Sequence, residues 1–157
     1  MSPLMQNLDA NQVMQWLDRA HIAHYVCGEC HGIHFNDLQA MDGILESRLF
    51  VEADYLMLFS ELEIRPSMLM QVLADVSRLN LNYMHLKIFV DLIDESLPRL
   101  VIQGNLPHSA GLSFEQFHLF VENGLQATQA LVEECQQLSY VTGNELAPVS
   151  SPRSAMH

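Results

Sequence analysis

The chain has 157 residues, of which 49% are hydrophobic, and its seven basic and nineteen acidic residues give a formal net charge of −12. This length favours one domain, with enough apolar residues for a core that needs no disulfide or metal as a staple. The acidic balance repels phosphate backbones and anionic membrane surfaces, so it disfavours nucleic-acid and membrane partners and suits basic protein partners.

The N-terminal segment carries no recognisable targeting signal. Residues 1–9 lack a basic stretch followed by an apolar one, and no run in the chain approaches the ~18 apolar residues that a membrane span needs. We therefore predict a soluble, cytoplasmic protein. Its three cysteines are an odd number and are expected to be reduced there, which argues against a disulfide framework.

The chain begins with a predicted helix and a short strand. Asp9, with Gln12 three residues later, is typical of a helix N-cap with a capping box, and apolar residues follow at helical spacing. Residues 22–27 form an apolar segment that predicts a short strand. The polar, histidine-rich residues 28–41 predict a loop or an irregular strand.

A change of hydrophobic period at Pro66 separates a hairpin from a helix. Residues 44–53 and 55–64 predict two antiparallel strands, because apolar residues alternate along the second of them. Residues 66–80 instead carry apolar side chains at spacings of three and four, which predicts a helix. Pro66 suits its first turn, where a missing N–H is tolerated.

The rest of the chain predicts a second hairpin and a long helix. Residues 84–92 and 99–106 give the two strands, joined by a turn at 94–98. A capping-box pattern at Ser113 then opens the helix, and Gly143 is a plausible stop for it. The predicted order α-β-ββ-α-ββ-α with short connections favours an α+β fold, a mainly antiparallel sheet flanked by helices. We predict one domain over residues 1–146 and a disordered tail over residues 147–157.

Two cysteines and two histidines lie close together in the polar segment. Cys27-Gly28-Glu29-Cys30-His31 matches the covalent haem attachment pattern, and the addition of His34 gives a set with zinc-ligand character. A redox Cys-x-x-Cys motif is a third alternative. The interpretation that we favour is structural, with Cys27 as a small buried apolar residue and the histidines on a solvated loop. We therefore predict no cofactor and no metal, and keep these four residues as candidate ligands.

One face of the predicted sheet is too apolar for a face that is open to water. In the strands, one set of positions is purely aliphatic and must face the helices, whereas the other set mixes aromatic residues with charged ones. This second face is either covered by the terminal helices or used to bind a partner. The candidate partner-binding residues are Phe50, Tyr55, Met57, Phe59 and Phe89.

No group of residues in the sequence forms a catalytic constellation. Carboxylates on the strands, such as Glu61 and Glu63, are far more typical of a solvated sheet edge than of an acid/base pair. Neither a nucleophile-elbow nor a phosphate-loop pattern is present. We therefore predict that the protein is not an enzyme.

Five short segments, in this order and spacing, resemble the YbjN family of bacterial proteins. They are Met41-Asp42-Gly43, Glu63-Ile64-Arg65-Pro66-Ser67, Ala74-Asp75-Val76-Ser77, Leu97-Pro98-Arg99-Leu100-Val101 and Phe114-Glu115-Gln116-Phe117. The resemblance is strongest to the enterobacterial, AmyR-like branch, and it covers about residues 9–138. Cys27 and Cys30 also fit a cysteine pair of that branch, whereas His31 does not fit it.

The resemblance implies a fold like that of the class I type III secretion chaperones, which are small, acidic, dimeric α+β proteins. It also implies a non-enzymatic role in stress response, virulence and repression of exopolysaccharide production. We expect a homodimer that uses residues 66–80 and 84–92 and that regulates through contact with an unidentified protein. Two alternatives remain open: a secretion chaperone that binds an extended effector segment, and a metal or thiol sensor based on the cysteines.

Overall fold

A computed structural model of the chain describes residues 8–93 and 96–142. The helices are α1 (Ala10–Arg19), α2 (Asn36–Gln39), α3 (Leu69–Asn82) and α4 (Phe114–Gln137). The strands are β1 (His24–Val26), β2 (Ile33–Phe35), β3 (Ile44–Val51), β4 (Tyr55–Glu63), β5 (Lys87–Asp91) and β6 (Arg99–Pro107). No helix in this described part is long and apolar enough to cross a membrane.

The strands form one antiparallel sheet in the order β1-β2-β3-β4-β6-β5. Burial alternates strictly along β4, where Leu56, Leu58, Ser60 and Leu62 are buried and the residues between them are partly exposed. The helices pack against the leucine side, because their buried residues belong to the same two core clusters as these leucines. The prediction of an α+β fold with an antiparallel sheet is thereby confirmed.

The predicted helix starts are observed where the capping residues lie. Asp9 accepts a hydrogen bond from the backbone N–H of Gln12 at 2.8 Å. Ser113 and Gln116 form a complete capping box at the start of α4. Pro66 opens a 3₁₀ turn that leads into α3, so the change of period marks the boundary between strand and helix as expected.

The polar segment after β1 contains more regular structure than the sequence predicts. Residues 33–35 form β2, in which all three side chains are buried, and α2 follows directly with Leu38 in the core. Both elements are too short to show a hydrophobic period, so the prediction of a loop or irregular strand was wrong for this stretch.

Some predictions fall on residues that the structure does not describe. They are the stop at Gly143, the disordered tail at 147–157 and part of the turn at 94–98. The single domain over residues 1–146 also stays a prediction.

Candidate functional site

The five predicted partner-binding residues lie on one side of the sheet, opposite the helices. Phe50 in β3, Met57 and Phe59 in β4, and Phe89 in β5 are each partly exposed, and Tyr55 is 41% exposed. We call this side the open sheet face. It results from the alternation along the strands, because the neighbouring leucines occupy the other side.

Phe50, Met57 and Phe59 form a continuous apolar patch on the open sheet face. Phe50 lies directly opposite Met57 across the β3–β4 ladder, and its ring meets that of Phe59 edge-on with centroids 6.2 Å apart. Aromatic and long apolar side chains at such cross-strand distances pack against one another. These three predicted site residues are therefore brought together by the structure.

The other two predicted residues lie at the margins of the patch. Tyr55 starts β4 and pairs with Pro107, at the end of the sheet. Phe89 lies two strands away from β4, since β6 runs between β4 and β5 and places Val101 opposite Phe89. The ammonium group of Lys87 lies 5.4 Å from the Phe89 ring centroid. The predicted site is thus one compact patch with two flanking aromatic residues.

Charged side chains surround this patch, and several of them are paired with each other. Arg99 contacts the carboxylate of Glu61 at 2.9 Å, and Arg48 contacts that of Glu46. Glu52 and Asp54, in contrast, are exposed at the turn between β3 and β4. Next to this turn lies an open depression of about 600 Å³. It is lined by Asp54, Tyr55, Met57, Lys87, Gln103, Asn105, Pro107 and Ser109.

A second group of residues, which we call the cysteine–histidine cluster, comprises Cys27, Cys30 and His34. The two cysteines lie in the turn between β1 and β2, and His34 is the central residue of β2. Ile33 and Phe35 point into the helix-facing core, so His34 between them points to the open sheet face. The cluster therefore lies on the same side of the sheet as the apolar patch.

The three side chains of this cluster contact one another directly. His34 Nε2 lies 3.3 Å from Cys27 Sγ and 3.1 Å from Cys30 Sγ, and the two sulfur atoms are 2.7 Å apart. Hydrogen bonds from the Cys30 side chain and from the backbone N–H of Glu29 lower the pKa of the Cys27 thiol to about 6. A lowered pKa is typical of a reactive or metal-binding cysteine.

The two candidate histidines lie in different environments. His34 is only 7% exposed, so the expectation of histidines on a solvated loop was wrong for this residue. His31 is exposed and does not belong to the cluster. The absence of a side chain at Gly32 allows the turn to lie close to β3, because a Cβ at this position would lie only 2.8 Å from the side chain of Arg48.

Sequence analysis missed a mainly apolar groove between β6 and α4. It has a volume of about 380 Å³ and is lined by His85, Gly104, Asn105, Leu106, Leu112, Gln116, Leu119, Phe120, Asn123 and Gly124. A usable signal was Gly124 in the middle of a helix, where a glycine often marks a close approach. A Cβ at this position would lie 2.7 Å from Leu58 Cδ2.

Comparison with known proteins identifies the family. A family model described as "Putative bacterial sensory transduction regulator", YbjN, matches residues 9–137. The chain is 31% identical over 134 residues to "Uncharacterized protein YbjN" of Escherichia coli K12, and equally identical to the protein of that name from Shigella flexneri. Each alignment covers 83% of this chain and 84% of the relative. A crystal structure of E. coli YbjN, described as "a putative transcription regulator", shares the fold with a TM-score of 0.83 at 24% identity, over 88% of this chain and 99% of that one. The chain belongs to the YbjN family.

Proposed function

We propose that this protein is a non-enzymatic regulator that acts by binding another protein through its open sheet face. The observation that carries the proposal is the patch of Phe50, Met57 and Phe59, which are partly exposed although they pack against one another. A sheet face without a helix layer is normally polar, so contiguous apolar residues there favour an interaction surface. The family description as a regulator agrees with such a role.

The partner that fits this face is an extended or helical segment with alternating apolar and basic side chains. Its apolar side chains would cover the patch, where aromatic residues and methionine are the residue types enriched at interfaces. Its lysine or arginine side chains would lie near Glu52 and Asp54, in a chain whose net charge of −12 attracts basic partners. The same negative charge would repel an acidic partner.

The experiment places a photo-crosslinking amino acid at Met57 in cells of the source organism and identifies the captured protein by mass spectrometry. The captured segment is then synthesised, and its affinity for the purified full chain is measured by titration calorimetry. We expect Phe59→Glu to weaken binding by at least about tenfold, because it buries a charge against the apolar side chains of the partner.

Leu119→Glu is the matched control, since Leu119 is 60% exposed on α4, on the other side of the sheet. This variant should bind like the unchanged protein, and both variants should keep the circular dichroism spectrum and melting temperature. The proposal is wrong if Phe59→Glu binds normally. It is equally wrong if Phe59→Glu unfolds the protein, because the patch then belongs to the core.

The same crosslinking experiment separates the regulator from a secretion chaperone. A chaperone would capture a secreted effector and would hold one of its unfolded segments. A regulator would capture a resident cytoplasmic protein. The finer role that we propose, repression of exopolysaccharide production in stress and virulence, is tested by deleting the gene and restoring it with either variant. Only Leu119→Glu should restore the original exopolysaccharide level.

A further inference from the structure

The cysteine–histidine cluster has the form of a metal site that is independent of the proposed partner patch. Its three donor atoms come from two parts of the fold, Cys27 and Cys30 from a turn and His34 from β2, and they all lie within 4.8 Å of one another. Zinc sites commonly combine a Cys-x-x-Cys turn with a histidine from a neighbouring element. In this chain the two parts are close in sequence, and the hairpin of β1 and β2 brings their side chains together in space.

His34 is held in the tautomer and orientation that a metal ligand requires. Its Nδ1 must donate to the backbone carbonyl of Ser47, 3.0 Å away, because a carbonyl oxygen can only accept. The lone pair therefore lies on Nε2, which faces both sulfur atoms. Tyr25 stacks on the imidazole with ring centroids 4.9 Å apart and fixes its plane. Such support around a ligating histidine is typical of metal sites.

We propose that Cys27, Cys30 and His34 bind one Zn²⁺ ion through two thiolates and one imidazole nitrogen, with the fourth position open to solvent. Two thiolates and a neutral imidazole surround the ion, and any proton that a thiol still holds passes to water on binding. Two cysteines and one histidine with a free fourth position form a known zinc arrangement. Soft sulfur ligands also exclude Mg²⁺ and Ca²⁺, which prefer oxygen.

The geometry needs only local adjustment to accept the ion. Tetrahedral Zn–S and Zn–N bonds place the ligand atoms ~3.5–3.8 Å apart. The nitrogen–sulfur distances of 3.1 and 3.3 Å are close to this, whereas the sulfur atoms, now 2.7 Å apart, must separate further. The turn can provide this movement, because both cysteines are partly exposed and nothing lies within 4 Å of a Cβ placed at Gly28.

The experiment titrates the reduced, metal-free full chain with Co²⁺ and then with Zn²⁺ under argon. We expect one equivalent of Co²⁺ to give sulfur-to-cobalt charge-transfer absorption and tetrahedral d–d bands, both abolished by one equivalent of Zn²⁺. Binding should release protons into a weakly buffered solution, because the ion holds both cysteines as thiolates. Hydrogen exchange should slow in residues 24–35 and not in α4.

Variants decide whether these residues hold the ion. Cys30→Ser and Cys27→Ser should each lower the affinity for Zn²⁺ by at least about 100-fold, since the loss of a ligand costs more than the loss of its supporting hydrogen bond. His31→Gln is the matched control, as it removes a histidine of the same turn that lies outside the cluster, and it should bind normally. His34→Gln tests the buried ligand, with circular dichroism to confirm that β2 is retained.

Three results would overturn the zinc site. The first is a reduced protein that shows no charge-transfer band. The second is Zn²⁺ affinity that Cys30→Ser leaves unchanged, which would place the ion on other histidines of the surface. The third is a Cys27–Cys30 disulfide that persists in a glutathione buffer at cytosolic poise, since this would assign the pair to redox chemistry. None of these results depends on whether a protein partner is found.

Discussion

The side chain of Asn80 makes two hydrogen bonds to the backbone of Ile88. Its Nδ2 donates to the Ile88 carbonyl at 2.9 Å, and its Oδ1 accepts from the Ile88 N–H at 3.0 Å. Ile88 lies in β5, the strand at one edge of the sheet, so the amide of Asn80 takes the place that a further strand would occupy at this residue. A helix residue thus blocks this edge against strand addition.

We predict that Asn80→Ala destabilises the protein by about 1–3 kcal/mol. The substitution leaves the N–H and C=O of Ile88 without their partners, and the cost of unpaired backbone groups exceeds the net value of the bonds themselves. Asn82→Ala is the control, because Asn82 is exposed near the end of α3. Urea unfolding of both variants measures the difference. Equal midpoints for the two would contradict the role given to Asn80.

A second prediction is that the protein forms a homodimer. Met70, Leu73 and Leu81 repeat along one side of α3, and Met84 follows it, all exposed. This stripe carries no charge, so its burial against a second copy avoids the like-charge repulsion that other surfaces of a −12 chain would create. The family resemblance implies residues 66–80 and 84–92 for self-association, and three of these four residues lie in those ranges, whereas Leu81 lies between them.

Light scattering at micromolar concentration tests the dimer. We expect twice the chain mass of 17.8 kDa, and we expect Leu81→Glu, which charges a residue that is 80% exposed, to return the mass to that of one chain. Leu119→Glu, on another exposed surface, should remain dimeric. A single-chain mass for the unchanged protein rejects the dimer, and a dimeric Leu81→Glu variant rejects this interface.

The sequence predicts the open sheet face better than the cysteine–histidine cluster, for a physical reason. Phe50, Met57 and Phe59 share a face because alternation in a strand is a local rule, so their common side follows from their numbering. The position of Phe89 beyond β6 depends on strand order, which alternation does not specify. The cluster depends on a three-residue strand and on the carbonyl of Ser47 in β3, and neither leaves a periodic signal.

A third prediction is that the protein does not bind DNA directly. Affinity for DNA comes mainly from lysine and arginine contacts to phosphates, and the chain has seven such residues against nineteen carboxylates. At least two of the seven, Arg48 and Arg99, already contact glutamates. A gel shift with promoter DNA at about 50 mM salt, where electrostatic binding is strongest, should show no complex. A complex that weakens as salt increases would contradict this.

The last prediction concerns stability at alkaline pH. Cys135 in α4 is fully buried, and this burial, together with the charge of Glu134, raises the pKa of its thiol from 9.0 to about 12. Between these two values the unfolded chain loses the proton and the folded protein keeps it, so stability decreases as pH rises. From pH 9 to pH 11 this group alone should remove about 2 kcal/mol from the free energy of unfolding.

Cys135→Ala should be less stable at pH 7 because of the cavity it leaves, yet it should lose less stability between pH 9 and pH 11. Denaturant titrations of both proteins under reducing conditions at pH 7, 9 and 11 measure the two slopes. Tyr83, whose pKa is raised to about 12 by burial, by its bond to Glu134 and, to a smaller extent, by the charge of Cys135, titrates in both proteins, so most of its contribution is shared. Parallel curves would show that Cys135 titrates alike in the folded and unfolded chain.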